Sequence, residues 1–154
     1  MFRWYGYVPG AGSVGLLVLR LAAGAAFIIH GWGKIQMGWM TWMNGMPNPP
    51  PNYLQAAAVV AEFGGGIAWI LGFLTPLFSL AIACTMATAY AMVHYAAGHV
   101  FVASKPDEHS FELAVVYFAV AVCLLLVGPG QLSLDWCLFG RRRAAPDLPS
   151  YVPR

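Results

Sequence analysis

The sequence predicts an all-α membrane protein, built as a bundle of four transmembrane helices. Of its 154 residues, 60% are hydrophobic and only 9% are charged, whereas a soluble domain carries roughly a quarter charged residues. The mean hydropathy is +0.66. Four apolar stretches are each close to the roughly 20 residues that a helix needs to cross a bilayer core. So few charges cannot cover a soluble fold, and we therefore expect this to be a polytopic membrane protein.

Each predicted span carries an ionisable residue within its apolar sequence. Strands of a membrane barrel would be about half as long and would alternate in polarity, which these stretches do not do. Gly72 to Pro76 predicts a tight turn between two spans, and Gly128-Pro129-Gly130 ends the last one. The spans and their ionisable residues are 13–32 with Arg20, 54–74 with Glu62, 76–97 with His94, and 111–127 with Glu112.

Basic residues predict the orientation of a single membrane domain over residues 1–140. An even number of spans places both termini on one side of the membrane. Most basic residues lie near the termini, and only Lys34 and Lys105 fall on the opposite side, so the positive-inside rule predicts cytoplasmic termini. Residues 141–154 are predicted to form a basic, flexible cytoplasmic tail. The formal net charge of +2 is too small and too scattered to indicate nucleic-acid binding.

Four titratable residues are predicted to lie at a similar depth, in the outer half of the membrane. They are His30, Glu62, His94 and Glu112, one from each span. At 1.5 Å per residue, each falls within reach of the outer end of its helix. Ionisable groups in hydrocarbon are costly and mark functional sites. The sequence therefore predicts one polar pocket shared by the four helices.

Helical periodicity adds two cations to this predicted pocket. At 100° per residue, Arg20, His30 and Lys34 project from one side of the first span. The glycines at 64–66 follow Glu62 and allow a neighbouring helix to approach closely. The alternative interpretation is a structural ion pair between Glu62 and Arg20 or Lys34, and both interpretations can hold together.

The loop between the first two spans is rich in methionine and tryptophan. Soft thioethers on one strip could hold Cu(I), with His30, His94 or His99 nearby. The segment could instead lie at the membrane boundary, where tryptophan is enriched on independent grounds. We favour the boundary interpretation. The residues concerned are Met37, Met40, Met43 and Met46, with Trp32, Trp39 and Trp42 interleaved.

Polar and glycine-containing motifs follow one another in a fixed order along the predicted spans. They are Arg20, His30-Gly31-x-x-Lys34, Glu62-Phe63-Gly64-Gly65-Gly66, Leu71-Gly72-Phe73-Leu74-Thr75-Pro76, Met86, His94, Glu112-Leu113-Ala114 and Gly128-Pro129-Gly130-x-x-Ser133-Leu134-Asp135. In order and spacing, they resemble the DoxX family of bacterial membrane proteins, within a wider group that includes the DoxD subunit of thiosulfate:quinone oxidoreductase. The resemblance covers about residues 14–136.

This resemblance implies a four-helix bundle in the bacterial inner membrane and an association with redox chemistry and quinones. A quinone needs an apolar slot and groups that hydrogen-bond and protonate its two oxygens. His30 or His94 is predicted to donate to one oxygen, and Glu62 or Glu112 to relay protons. The chain carries no recognisable motif for flavin, haem or an iron–sulfur cluster, so we expect another subunit to exchange the electrons.

The remaining members of the predicted quinone site have electrostatic and packing roles. Lys34 and Arg20 are predicted to stabilise negative charge. The predicted ring contacts are Trp32, Trp69 and Tyr90. Whether the chain is itself an enzyme is left open.

Two other functions are consistent with the same sequence. The first is a non-catalytic membrane anchor or assembly subunit of a larger complex, which would dock on partner proteins through the Met/Trp-rich loop. The second is transition-metal binding by the histidines, glutamates and methionines, although no closely spaced ligand pair fixes a geometry. Membrane lipids are expected partners in all three cases.

Overall fold

The computed structural model describes residues 8–46 and 48–140, which form a helical bundle. The predicted basic tail at 141–154 lies outside the described residues. A short π-helical turn, Trp136–Gly140, follows the last long helix. The prediction of an all-α bundle is confirmed. Its long helices are α1 (Ala11–Gln36), α2 (Asn52–Leu71), α3 (Thr75–Tyr95) and α4 (Glu112–Val127).

Helix lengths agree with the predicted spans, with differences at the ends. The helices α1, α2 and α3 are long and apolar enough to cross a membrane, whereas α4 is a shorter apolar helix of 16 residues, about 24 Å long. Three to four spans are therefore consistent with the structure. Large apolar side chains such as Val18, Ile29 and Leu126 face outward, as expected for contact with lipid. The cytoplasmic position of the termini stays a prediction.

The two ends of the bundle differ in how the chain turns. One end, here called the long-loop end, carries residues 37–46, 48–51 and 96–111. The opposite end, the tight-turn end, carries residues 72–74 and 128–135. The segment 37–46 folds into consecutive turns, for example through Thr41 N–H to the Gly38 carbonyl (2.8 Å) and Asn44 N–H to the Thr41 carbonyl (3.0 Å).

All four helices contribute to one apolar core. The aromatic ring of Phe27 meets Trp69 edge-on at 5.4 Å between centroids and contacts Tyr117 at 4.8 Å. Trp69 is fully buried, and its indole Nε1–H donates to Ser79 Oγ (2.9 Å). A buried tryptophan needs such a partner for its polar atom. Ile82, Met86, Ala121 and Leu124 also belong to this core.

Glycines allow α1 and α2 to approach backbone to backbone. A Cβ added at Gly66 would lie 2.6 Å from the Gly24 carbonyl oxygen, and one added at Gly24 would lie 2.7 Å from the Gly66 carbonyl oxygen. Farther toward the long-loop end, a Cβ on Gly31 would lie 2.6 Å from the Phe63 backbone nitrogen. Small residues at such crossings are typical of membrane helix pairs, because packing and not hydrophobicity drives their association.

Arg20 closes the tight-turn end of the bundle. Its guanidinium is fully buried and donates from Nη1 to the Pro129 carbonyl (2.9 Å) and from Nη2 to the Leu132 carbonyl (2.6 Å). The expectation that Arg20 lies in a pocket with His30 and Lys34 is therefore corrected. The segment that follows α4 folds back under α1 and collects the guanidinium, which the period of one helix could not show.

Asp135 ties the same segment to the turn between α2 and α3. Its carboxylate accepts the backbone N–H groups of Leu74 and Thr75 (both 2.9 Å), and its own N–H donates to the Gly72 carbonyl (2.9 Å). Leu74 has a positive φ of 46°, a conformation that a leucine rarely adopts. The carboxylate thus satisfies the first N–H groups of α3 and holds this strained turn.

We expect Gly66→Ala to destabilise the bundle by about 1–3 kcal/mol, because the added methyl must push α1 and α2 apart. Thermal unfolding in mild detergent, followed by circular dichroism, measures the change. Gly15→Ala is the matched control, since a Cβ at Gly15 on α1 meets open space. Equal stability of the two variants would contradict the close helix contact.

Asp135→Ala is expected to lower the free energy of unfolding by about 1–2 kcal/mol, because two N–H groups at the start of α3 lose their acceptor. Asp107→Ala, in an exposed loop, is the control and should unfold like the native chain. The same detergent assay measures both variants. An Asp135→Ala protein as stable as the control would show that the carboxylate does not hold the turn.

Candidate functional site

An ion pair between α1 and α2 lies inside the bundle. Lys34 Nζ donates a hydrogen bond to Glu62 Oε1. The Glu62 side chain is only 3% exposed, and that of Lys34 is 17% exposed. Glu62 lies ten residues into α2, about 15 Å from its first residue. The predicted ion pair of Glu62 with Lys34 is confirmed, and its alternative with Arg20 is wrong.

Glu62 lies in a π-helical turn of α2, Val60–Gly64. Such a turn accommodates one extra residue, changes the direction of the side chains around it, and is frequent at functional sites. A second π-helical turn, Tyr90–Tyr95, ends α3 and contains His94. The apolar sequences on either side gave no signal for either turn.

Trp42, in the loop after α1, covers the ion pair. The Lys34 ammonium lies 4.4 Å from the centroid of the Trp42 ring, a cation–π contact. The indole Nε1–H of Trp42 donates to the Gln55 carbonyl (3.4 Å). Lys34 thus has both an anionic and an aromatic neighbour.

Gln55 fixes this loop on α2, and sequence reasoning missed it. Its side chain is fully buried, and its Oε1 accepts the Met43 N–H (2.8 Å). Its Nε2 donates to Asn44 Oδ1 (2.8 Å) and to the Pro50 carbonyl (2.9 Å). A glutamine next to the alanines of an apolar span was a usable signal, because a buried amide must find partners.

A cleft of about 350 Å³ lies between α2 and α3 and contains the ion pair in its wall. Small side chains of both helices leave this space open. Leu54, Cys84 and Met92 line the cleft and are also exposed, so the cleft opens sideways on the surface of the bundle. Its other small lining residues are Ala57, Ala58, Ala61, Ala81, Thr85, Thr88 and Ala89.

The ion pair retains unused hydrogen-bonding capacity. Glu62 Oε2 is buried, and no donor among the described residues reaches it. A buried acceptor without a donor is costly. The pair therefore offers an ammonium donor and a carboxylate acceptor side by side in an apolar wall.

The structure does not bring the other titratable residues into this cleft. His30 is exposed on α1 and has edge contacts with Phe27 and Tyr117. His94 Nδ1 lies 2.9 Å from His99 Nδ1 at the long-loop end. Glu112 is exposed at the first residue of α4. The expected single pocket of four groups is corrected to one ion pair, because equal depth does not ensure a common face.

The predicted ring contacts also separate. Trp69 belongs to the sealed core and lies outside the cleft, which corrects its assignment as a quinone contact. Trp32 is half exposed and packs on Phe63 at 6.1 Å between ring centroids. Tyr90 lines a separate shallow apolar groove between α3 and α4, beside Phe111.

The Met/Trp-rich loop does not present its thioethers on one exposed strip. Met43 is buried against Gln55, whereas Met37 and Met46 are exposed. Within residues 8–46 and 48–140, no group of three or more His, Cys, Asp or Glu side chains is placed to hold a metal ion. Copper binding by this loop stays a prediction.

Lys34→Met is expected to destabilise the bundle by about 3 kcal/mol, because it leaves the Glu62 carboxylate buried without its cation. The double variant Lys34→Met/Glu62→Gln should recover most of this loss, since it removes both charges. Detergent unfolding of Lys34→Met, Glu62→Gln and the double variant gives the coupling energy. Additive losses would show that the two side chains do not interact.

Comparison with known proteins places the chain in a family. A family model described as DoxX matches residues 15–95. Inner membrane protein YqjF of Escherichia coli (strain K12) is 32% identical over 126 residues, covering 80% of this chain and 91% of the relative. Inner membrane protein YphA of the same organism is 35% identical over 125 residues, covering 78% and 87%. No solved structure matches. The chain is a multi-pass inner membrane protein and belongs to the DoxX family.

Proposed function

We propose that this chain is a membrane subunit linked to redox chemistry, and that its cleft binds the ring of a lipid-soluble quinone. The observation that carries the proposal is the Lys34–Glu62 pair in the wall of an otherwise largely apolar cleft. The cleft volume of about 350 Å³ falls within the roughly 300–1,000 Å³ of small-molecule sites. Its sideways opening between α2 and α3 would leave an isoprenoid tail in lipid.

The residues of the cleft fit a quinone ring. The Lys34 ammonium can donate a hydrogen bond to a ring oxygen and stabilise negative charge on it. The Glu62 carboxylate can accept a hydrogen bond, and then the proton, from a ring hydroxyl, and its Oε2 lacks a donor among the described residues. The Trp42 ring covers the Lys34 ammonium at this end of the site. When bound, a quinone would supply two-electron, two-proton redox chemistry.

Docking on a larger complex is the second candidate function, and the loop after α1 favours it. Met37 and Trp39 are exposed there, although Gln55 holds the loop backbone. Methionine and aromatic side chains are enriched in protein interfaces. This role is compatible with quinone binding, because neither Met37 nor Trp39 lines the cleft.

Cys84 provides a native reporter of the cleft, because it is exposed and lines the opening. In a Cys123→Ser/Cys137→Ser protein reconstituted in nanodiscs, decylubiquinone should slow the reaction of Cys84 with N-ethylmaleimide at least fivefold. This quinone has a fully substituted ring, so it does not itself add to the thiol. We expect Lys34→Met/Glu62→Gln to weaken the protection about tenfold, as loss of the charged hydrogen-bond partners implies.

The matched control keeps Cys123, which lies on α4 away from the cleft, and replaces Cys84 and Cys137 by serine. Its labelling rate should be insensitive to decylubiquinone. Equal labelling of Cys84 with and without decylubiquinone would refute quinone binding in the cleft.

A further inference from the structure

The hydrogen bonds in the cleft wall already use most of its donors. A ligand in the cleft therefore meets more free acceptors than free donors. Trp42 Nε1–H donates to the Gln55 carbonyl, and both amide hydrogens of Gln55 are used by Asn44 and Pro50. Besides Lys34, the other side-chain donors in the wall are the hydroxyl groups of Thr85 and Thr88 and the weakly donating thiol of Cys84.

Both threonine hydroxyls donate back to their own helix. Thr85 Oγ1 donates to the Ala81 carbonyl and Thr88 Oγ1 to the Cys84 carbonyl, each at 2.9 Å. Such bonds to the preceding turn are usual for threonine in helices. A hydroxyl that donates in this way still accepts through its lone pairs. Toward a ligand, these two residues are therefore acceptors.

Lys34 is the strong side-chain donor that retains free capacity in this wall. One of its three N–H groups is used by Glu62 Oε1, which leaves others for a ligand. Next to it, Glu62 has a buried oxygen without a donor among the described residues. Both side chains line the cleft, so a ligand bound at the pair lies next to this carboxylate.

A hydroxyl group matches this arrangement better than a carbonyl group does. A hydroxyl can accept from Lys34 and at the same time donate to Glu62 or to a threonine. A carbonyl can only accept, so it would leave the acceptors of the wall without a donor. Binding sites discriminate strongly when the wrong ligand leaves buried polar groups unpaired.

We infer that the cleft prefers the reduced, hydroxyl-bearing form of its ligand, a quinol, over the oxidised quinone. This inference rests on the proposed quinone site and assigns the redox form that the site selects. Glu62 is the main specificity-determining residue, and Thr85 adds a second acceptor.

The test compares pre-reduced decylubiquinol with decylubiquinone, under argon, in the Cys84 protection assay described above. We expect half-maximal protection at roughly tenfold lower quinol concentration, equivalent to about 1.4 kcal/mol. Bound in the cleft, the couple should then have a midpoint potential about 30 mV higher than the free couple, which redox titration of the loaded nanodiscs measures.

Variants separate the specificity from the fold. Glu62→Gln should abolish the tenfold preference for the quinol, so that both forms protect Cys84 at about the same concentration. The reason is that the amide offers a donor to the quinone carbonyl. Thr85→Val leaves the ion pair intact and should lower the preference about threefold. Glu112→Gln, an exposed carboxylate outside the cleft, should keep the full preference and serves as the matched control.

The outcomes distinguish this inference from the proposed function. Protection by neither form would overturn both. Protection by both forms at equal concentration, or stronger protection by the quinone, would overturn only the preference for quinol. Dodecan-1-ol serves as an aliphatic hydroxyl probe, and protection by it at the concentration of the quinol would overturn the assignment to a quinol ring.

Discussion

The contact between α1 and α2 is the constraint on which the rest of the structure depends. Gly24 faces the backbone of Gly66, and Gly31 faces that of Phe63, so the two backbones approach closely at these levels. This proximity brings Lys34 to Glu62. An ammonium and a carboxylate in an apolar bundle each need a partner. The crossing of α1 and α2 makes each of these two groups the partner of the other. The cleft and its Trp42 cover are built around this pair.

The two cations on α1, Arg20 and Lys34, have different surroundings, and their chemistry differs accordingly. Arg20 directs its planar fork at two backbone carbonyls of the segment after α4, a geometry suited to guanidinium. That end of the bundle is closed by Arg20 and Asp135. Lys34 is a point charge with one carboxylate partner and one aromatic neighbour. Under the proposed function, its remaining hydrogens donate to the ligand, whereas Arg20 stabilises the fold.

The depth of a residue along a span does not determine which side of the helix its side chain occupies. The predicted pocket assumed that residues at equal depth also face one another. His30 and Lys34 are one turn apart on α1, yet His30 lies near Tyr117 of α4 while Lys34 reaches Glu62 of α2. The length of the lysine side chain makes this possible. His94 lies in the π-helical turn that ends α3, and its side chain contacts that of His99. The i→i+5 hydrogen bonds of a π-helical turn depend on tertiary packing, and no local pattern of apolar residues predicts them.

The sequence alone determined that this is a helical membrane protein. The length of an apolar stretch and the scarcity of charge within it are local properties, and they decide whether a helix can cross a bilayer. It also determined that costly charges lie within the spans and that glycines at 64–66 permit close packing. The tertiary structure alone decided which charges meet. Arg20 found its carbonyls more than 100 residues away, and Gln55 and Trp42 became part of the site through a loop. Such partners are chosen by helix crossing and side-chain reach, which no single segment of the chain contains.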